Sequence, residues 1–119
     1  MGDESNRETV VTPLQIERSG TTSDPVVTVR GEIDVATSPR LRTELSALLG
    51  RGATRITLDF SGVTFVDSSG LGVLVGALKR LRDGEDSDDV TSLRIVGVQD
   101  AVRKVFEITG LESALLDDG

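Results

Sequence analysis

Along the chain, apolar and polar positions change their rhythm several times, and each change marks an element. Leu14, Ile16 and Arg18 alternate with polar neighbours in a short strand. Ser19-Gly20-Thr21-Thr22-Ser23-Asp24-Pro25 is rich in turn formers and reverses the chain. Val26-Val27-Thr28-Val29-Arg30 is β-branched and reads as a second strand, antiparallel to the first and ended by Gly31-Glu32-Ile33-Asp34. From Thr37-Ser38-Pro39 the period becomes helical. A hydroxyl residue suits the cap, proline suits the first turn, and Leu41, Leu45, Leu48 and Leu49 share one face. Gly50 stands where a left-handed residue would end the helix.

Arg55-Ile56-Thr57-Leu58-Asp59 alternates again as a strand. A second helix is expected from about Ser69 to Arg82, with Leu71, Leu74, Val75 and Leu78 on its buried face. Asp83-Gly84-Glu85-Asp86-Ser87-Asp88-Asp89 is an acidic loop without an apolar anchor. Leu93 to Val98 reads as a strand, and Asp100 opens a third helix, through Val102, Val105 and Phe106, stopped by Gly110. Leu111, Leu115 and Leu116 form a last short element. The order is β-β-α-β-α-β-α. Strand–helix–strand crossovers imply parallel pairing in the later sheet, and the opening hairpin adds antiparallel strands. The expected fold is α/β (mixed α+β): a small mixed sheet with helices mainly on one face. Residues 1–10 are expected to be a flexible tail, and residues 11–117 a single domain.

Composition removes several functions. With 13 basic residues against 20 acidic and a net charge of −7, the chain lacks the electrostatics of a nucleic-acid binder or of an anionic-membrane binder. It has neither Cys nor His. Thiolate chemistry, imidazole metal ligands and the Ser-His-Asp triad are therefore excluded for this chain alone, and no catalytic residue, metal or cofactor is expected. No secretory leader and no apolar run of membrane-spanning length is read, so a cytoplasmic location without membrane insertion is expected. Aromatics are 3 %, which leaves an aliphatic core.

The candidate chemistry lies at Asp67-Ser68-Ser69-Gly70, where a loop turns into a helix. A hydroxyl there serves as a cap, as a phosphate acceptor, or as a nucleophile. The third role lacks a His and the Gly-x-Ser-x-Gly spacing, and Lys79 lies about 16 Å along the same helix at 1.5 Å per residue. A phosphoaspartyl receiver using Asp59 or Asp67 lacks the early paired acids. Phosphate at Ser68 would sit at a helix N-terminus, where free N–H groups and the macrodipole favour an anion, so the fold should tolerate it. Gly70, Gly72 and Gly76 serve either helix–sheet packing or close approach of a partner.

Gly31-Glu32-Ile33-Asp34, then Asp59-Phe60-Ser61-Gly62-Val63, then Phe65-Val66-Asp67-Ser68-Ser69-Gly70-Leu71-Gly72, resembles the STAS domain of bacterial anti-sigma factor antagonists, over roughly Val11 to Leu116. The resemblance implies a partner switch. The unphosphorylated protein binds an anti-sigma factor, often a serine kinase of the histidine-kinase-like ATPase type, and the sigma factor is released. The kinase then phosphorylates a serine, here Ser68, and a serine phosphatase resets it. Glu32, Asp34, Asp67, Ser68, Ser69, Gly70 and Gly72 are read as partner-binding residues, the acids from their place at the strand ends beside the Ser68 loop and the glycines from the close approach they allow, and the absence of a long apolar seam leaves a monomer expected when free. The alternative is a STAS module of a stressosome-like scaffold or of a lipid-transporter complex. The acidic stretch Gly84 to Thr91 is longer than a compact family member needs.

Overall fold

A computed structural model describes residues 14–83 and 93–117. The expected tail, the start of the domain at Val11 and the acidic stretch Gly84 to Thr91 lie outside the described residues. Among the described residues four strands form one sheet in the order β1-β2-β3-β4: β1 Gln15–Gly20, β2 Pro25–Ile33, β3 Ile56–Val66 and β4 Leu93–Val96. β1 and β2 are antiparallel, whereas β2/β3 and β3/β4 are parallel. The helices are α1 Ser38–Gly50, α2 Ser68–Asp83, α3 Asp100–Thr109 and α4 Glu112–Leu115. Two right-sized crossovers, through α1 and α2, connect the parallel strands, as short βαβ units require.

Alternation along the strands gives the sheet one buried and one open face. Val27, Val29, Ile56 and Leu58 are buried, while Thr28, Thr57 and Asp59 between them are half-buried. The helices cover the buried face with Leu41, Leu45 and Leu48 of α1, Leu71, Leu74, Ala77 and Leu78 of α2, and Val102 and Phe106 of α3. Leu115 closes the core at the end of α4, where Leu116 bridges Ile95 of β4.

Two expectations need correction. β2 runs through Gly31 to Ile33, within the stretch expected to end it, but β3 does not end at Asp59 and runs to Val66. The register explains the misreading. Thr28 pairs Asp59, Arg30 pairs Gly62 and Glu32 pairs Phe65, so β3 takes up an extra residue at each of two irregularities. Each bulge turns the next side chain to the other face. The buried residues of late β3 therefore fall at Phe60, Val63 and Val66, three apart, and the two-residue rhythm is lost. The second correction concerns the end of α1. Gly50 is the last helical residue, and the left-handed conformation falls on Gly52 instead, at φ 99°. At the end of α3, Gly110 takes the left-handed position as expected, with φ 76°. In α2 the buried face is wider than expected: Val73 is buried, and Val75 is only half-buried.

Candidate switch site at the edge of the parallel strands

Parallel strands end on the same side of a sheet, so the loops leaving β2 and β3 are neighbours. Ile33 and Val66 are paired, and the Asp67 N–H donates to the Ile33 carbonyl at 3.1 Å. That bond ties the β2–α1 loop to the start of α2. The two acidic stretches of the sequence thus meet at one edge.

Asp67 builds the helix start. Its carbonyl accepts the first helical bond, from the Leu71 N–H at 3.1 Å. Its Oδ1 accepts the Ser69 N–H at 2.9 Å, the Gly70 N–H at 3.3 Å and the Ser69 hydroxyl at 2.5 Å. This is the capping arrangement that satisfies free N–H groups of a first turn. The cap is thus Asp67 and not Ser68, because α2 begins one residue earlier than expected, at Ser68 itself. The hydrogen bond from the Ser69 hydroxyl chiefly holds the Asp67 carboxyl below its usual range. Partial burial opposes it, and the N–H groups of Gly70 and Ser69 add to it.

The two serines differ in what they are free to do. Ser69 is half-buried, with its hydroxyl committed to Asp67. Ser68 is exposed, and its hydroxyl makes no hydrogen bond among the described residues. Gly70 is buried, and a Cβ there would stand 2.6 Å from Ile33 Cγ2 and 3.2 Å from Val66 Cγ1. Its lack of a side chain lets the first turn of α2 sit against the sheet. Gly72 and Gly76 are exposed, with nothing within 4 Å of an added Cβ.

Across the edge, Asp34 is half-buried and directs Oδ1 into its own loop, accepting from the Ala36 N–H and the Thr37 N–H, each at 3.0 Å. Thr37 joins the same turn, its hydroxyl donating to the Glu32 carbonyl at 2.8 Å. The Thr37 side chain therefore shapes the loop and does not cap α1. Glu32 is exposed. Two apolar side chains stand in the open here, Val35 at 75 % exposure and Phe65 at 46 %. Phe65 pairs Glu32 across the strands, and Val35 follows Asp34 in the loop. Sequence reasoning missed both. Val35 carried no signal, being a lone apolar residue in a loop, and Phe65 stands exposed only because the bulges of β3 change the face its side chain takes.

Among the described residues no cluster of acids is placed to hold a metal ion, and no helix is long and apolar enough to cross a membrane. Such an edge offers a surface, with an unbonded hydroxyl at a capped helix start beside exposed apolar side chains and carboxylates.

The sheet, its bulged strand β3 and the α2 start are those of a small mixed α/β domain. The family model described as "Mlab, STAS domain" matches residues 16–117, and the chain belongs to the STAS domain family. It is 38 % identical over 89 residues to the anti-sigma-B factor antagonist of Staphylococcus aureus (strain NCTC 8325 / PS 47), covering 75 % of this chain and 78 % of that protein. Among solved structures it is similar to the anti-sigma factor antagonist SpoIIAA in its unphosphorylated form. There the identity is 28 %, the TM-score 0.70, and 89 % of this chain and 87 % of that one are covered. The Bacillus cell fate determinant SpoIIAA in the phosphorylated form matches with a TM-score of 0.63 at 27 % identity, covering 89 % and 90 %.

Proposed function

We propose that this domain is an anti-sigma factor antagonist whose switch is Ser68. The unphosphorylated form binds an anti-sigma factor, a serine kinase of the histidine-kinase-like ATPase type, and sets the sigma factor free. Phosphorylation of Ser68 by that kinase ends the interaction, and a serine phosphatase restores it. The chain acts in the cytoplasm as a binding protein and not as a catalyst, in one domain over residues 11–117.

The observation that carries the assignment to Ser68 is the division of labour in the first turn of α2. Asp67 and Ser69 satisfy each other, while the Ser68 hydroxyl is exposed and unengaged among the described residues. A kinase needs a hydroxyl it can reach without unfolding the helix start, and Ser68 meets that need. The relatives' names support the antagonist reading, and a similar protein has been solved in a phosphorylated form. Val35 and Phe65 supply apolar area for the partner to bury, with Glu32 and Asp67 at the rim. Gly70 contributes from below, by holding the helix start close to Ile33.

Phosphate adds about −1.5 to −2 charge at neutral pH. It would appear next to Asp67, which is already held ionised. A partner surface that accommodates Val35 and Phe65 would then have to desolvate a new charge. Each 1.4 kcal/mol of that penalty is about tenfold in affinity.

The test is direct. Incubate the chain with its kinase and ATP, map the modified residue by mass spectrometry, and titrate wild type, Ser68→Ala and Ser68→Asp with the anti-sigma factor. Modification at Ser68, with binding kept by Ser68→Ala and lost by Ser68→Asp, is expected. Modification at Ser69 instead, or equal binding by all three proteins, would refute the assignment. Capture of transporter subunits in place of an anti-sigma factor would favour the lipid-transporter alternative.

A further inference from the structure

A groove runs between α1 and α2, away from the sheet. It is lined by Arg42, Leu45 and Leu49 of α1 and by Gly72, Gly76 and Arg80 of α2, among others, and holds about 140 Å³. That is small beside the roughly 300–1,000 Å³ of a cofactor or metabolite pocket, and suits side chains of a docked protein.

Two features of α2 give the groove its character. The first is the row Ser68, Gly72, Gly76, Arg80, spaced four apart and exposed throughout. Such a row normally forms a ridge on a helix surface. Here its middle is bare backbone. Neither glycine has a positive φ, and an added Cβ would touch nothing, so the fold itself uses neither. Both nevertheless weaken the helix relative to alanine.

The second feature is charge. The chain carries a net −7, yet α1 and α2 hold five basic residues against two acids, and one of those acids, Glu44, is paired with Arg18. Among the described residues no acid lines the groove. Arg80 crosses it to donate to the Ser46 hydroxyl at 3.1 Å, and Arg42 makes no ion pair among the described residues. Basic walls around an apolar floor complement an acidic amphipathic segment. A floor without side chains lets that segment's backbone come close.

We propose that the anti-sigma factor lays an acidic helical segment into this groove, over Gly72 and Gly76, with a carboxylate between Arg42 and Arg80. This rests on the reading of Ser68 as the switch, since the row that floors the groove begins there. The docked surface then has two signs, carboxylates at the strand edge and arginines in the groove. Opposite signs at the two ends allow one orientation of the partner and penalise the reverse.

The experiment titrates the anti-sigma factor that binds the wild-type chain with Gly76→Leu, Arg80→Glu, Arg42→Glu and Ser68→Asp, by calorimetry at two salt concentrations. Thermal melts check that each variant is folded. Gly76→Leu should melt no lower than wild type, because its site is open, and yet bind at least about tenfold more weakly. The two charge reversals should weaken binding similarly, and more so at low salt. Wild-type affinity in Gly76→Leu and both reversals would overturn the groove. If Ser68→Asp still abolished binding, the switch reading would stand. Weakening by Gly76→Leu with no effect of Ser68→Asp would sink the switch and keep the groove. Self-association of the free chain that Gly76→Leu removes, with partner affinity unchanged, would assign the groove to a second copy and overturn the proposal.

Discussion

The three glycines of α2 make a sharp test because the structure assigns them opposite signs. In an exposed helix interior, glycine is about 0.8–1 kcal/mol less favourable than alanine. Gly72 and Gly76 are exposed, helical and free of neighbours within 4 Å of an added Cβ. Their double replacement by alanine should therefore stabilise the fold by about 2 kcal/mol. For a domain of this size that raises the thermal midpoint by about 6–10 °C. Gly70 is the reverse case. A methyl there would stand 2.6 Å from Ile33 Cγ2 and 3.2 Å from Val66 Cγ1. Both neighbours are fully packed core residues, Ile33 at 0 % and Val66 at 2 % exposure. Neither can swing into solvent. Overpacking of this kind costs about 1–3 kcal/mol. The propensity gain at Gly70 is smaller than at an interior site, because the residue lies in the first turn. Gly70→Ala should thus lower stability by about 1–2 kcal/mol net. Thermal melts followed by circular dichroism, with urea titrations for the free energies, measure all of these. A double variant at Gly72 and Gly76 that melts at or below wild type would refute the claim that the fold does not use them. A neutral Gly70→Ala would refute the close helix–sheet contact.

Four further outcomes follow from the switch site. Asp67→Ala should lower the thermal midpoint at pH 7, since it removes the acceptor for the Ser69 and Gly70 N–H groups. Because the Asp67 carboxyl is held below its ordinary value of 3.8, its charge stabilises the fold fully above that value, and the contribution disappears as pH falls through the lower folded-state value. The gap between wild type and Asp67→Ala should therefore narrow in acid, and a gap that widens below pH 3.8 would contradict this sign. Ser69→Ala should raise the Asp67 pKa toward the ordinary value in a carboxyl NMR titration, whereas Ser68→Ala should leave it in place. Phe65→Ser should weaken anti-sigma factor binding by at least about tenfold, with little loss of stability, as befits an exposed anchor. Phosphorylated wild type should melt within about 5 °C of the unmodified protein, because the helix start accommodates an anion at a gain of about 0.3–1 kcal/mol.

Where period and burial agreed, the fold was legible in the sequence. The alternation at Val27 and Val29 and the leucine face of α1 need only a strand with one open side and a helix on the other. Late β3 was opaque for a physical reason. Bulges opposite Val29 and next to Phe65 shift the register by one residue each, and no local rule distinguishes Phe60-x-x-Val63-x-x-Val66 from a loop followed by a helix start. The end of α1 was missed by two residues, because Gly50 and Gly52 both satisfy the same composition rule and only the path of the chain selects Gly52. At the site, the motif around Ser68 located the helix start within a residue. It did not reveal that Asp67 would take the cap and engage Ser69, nor that Val35 and Phe65 would stand exposed beside them. Those facts depend on which loops the parallel strands bring together.

That juxtaposition bears on why a switch would be built on the first of two adjacent serines. The Ser69 hydroxyl gives Asp67 a short hydrogen bond, and phosphate at Ser69 would remove that donor and set a dianion against the carboxylate that caps α2. The helix start would lose its organiser, and the modification would be read partly as unfolding. Phosphate at Ser68 spares every bond that Asp67 makes. The free N–H end of α2 still favours the added charge, so the fold is left nearly indifferent to it. On the proposed reading the cost would appear only when a partner covers the site, where the anion would lie beside Asp67 and close to the exposed Val35 and Phe65. A reversible signal is simpler to reset when the energy of folding is separated from the energy of docking in this way. A chain that returned from phosphorylation through partial unfolding would expose Ile33 and Val66 at each cycle. One that carries the charge on a formed helix end needs only to meet its partner again.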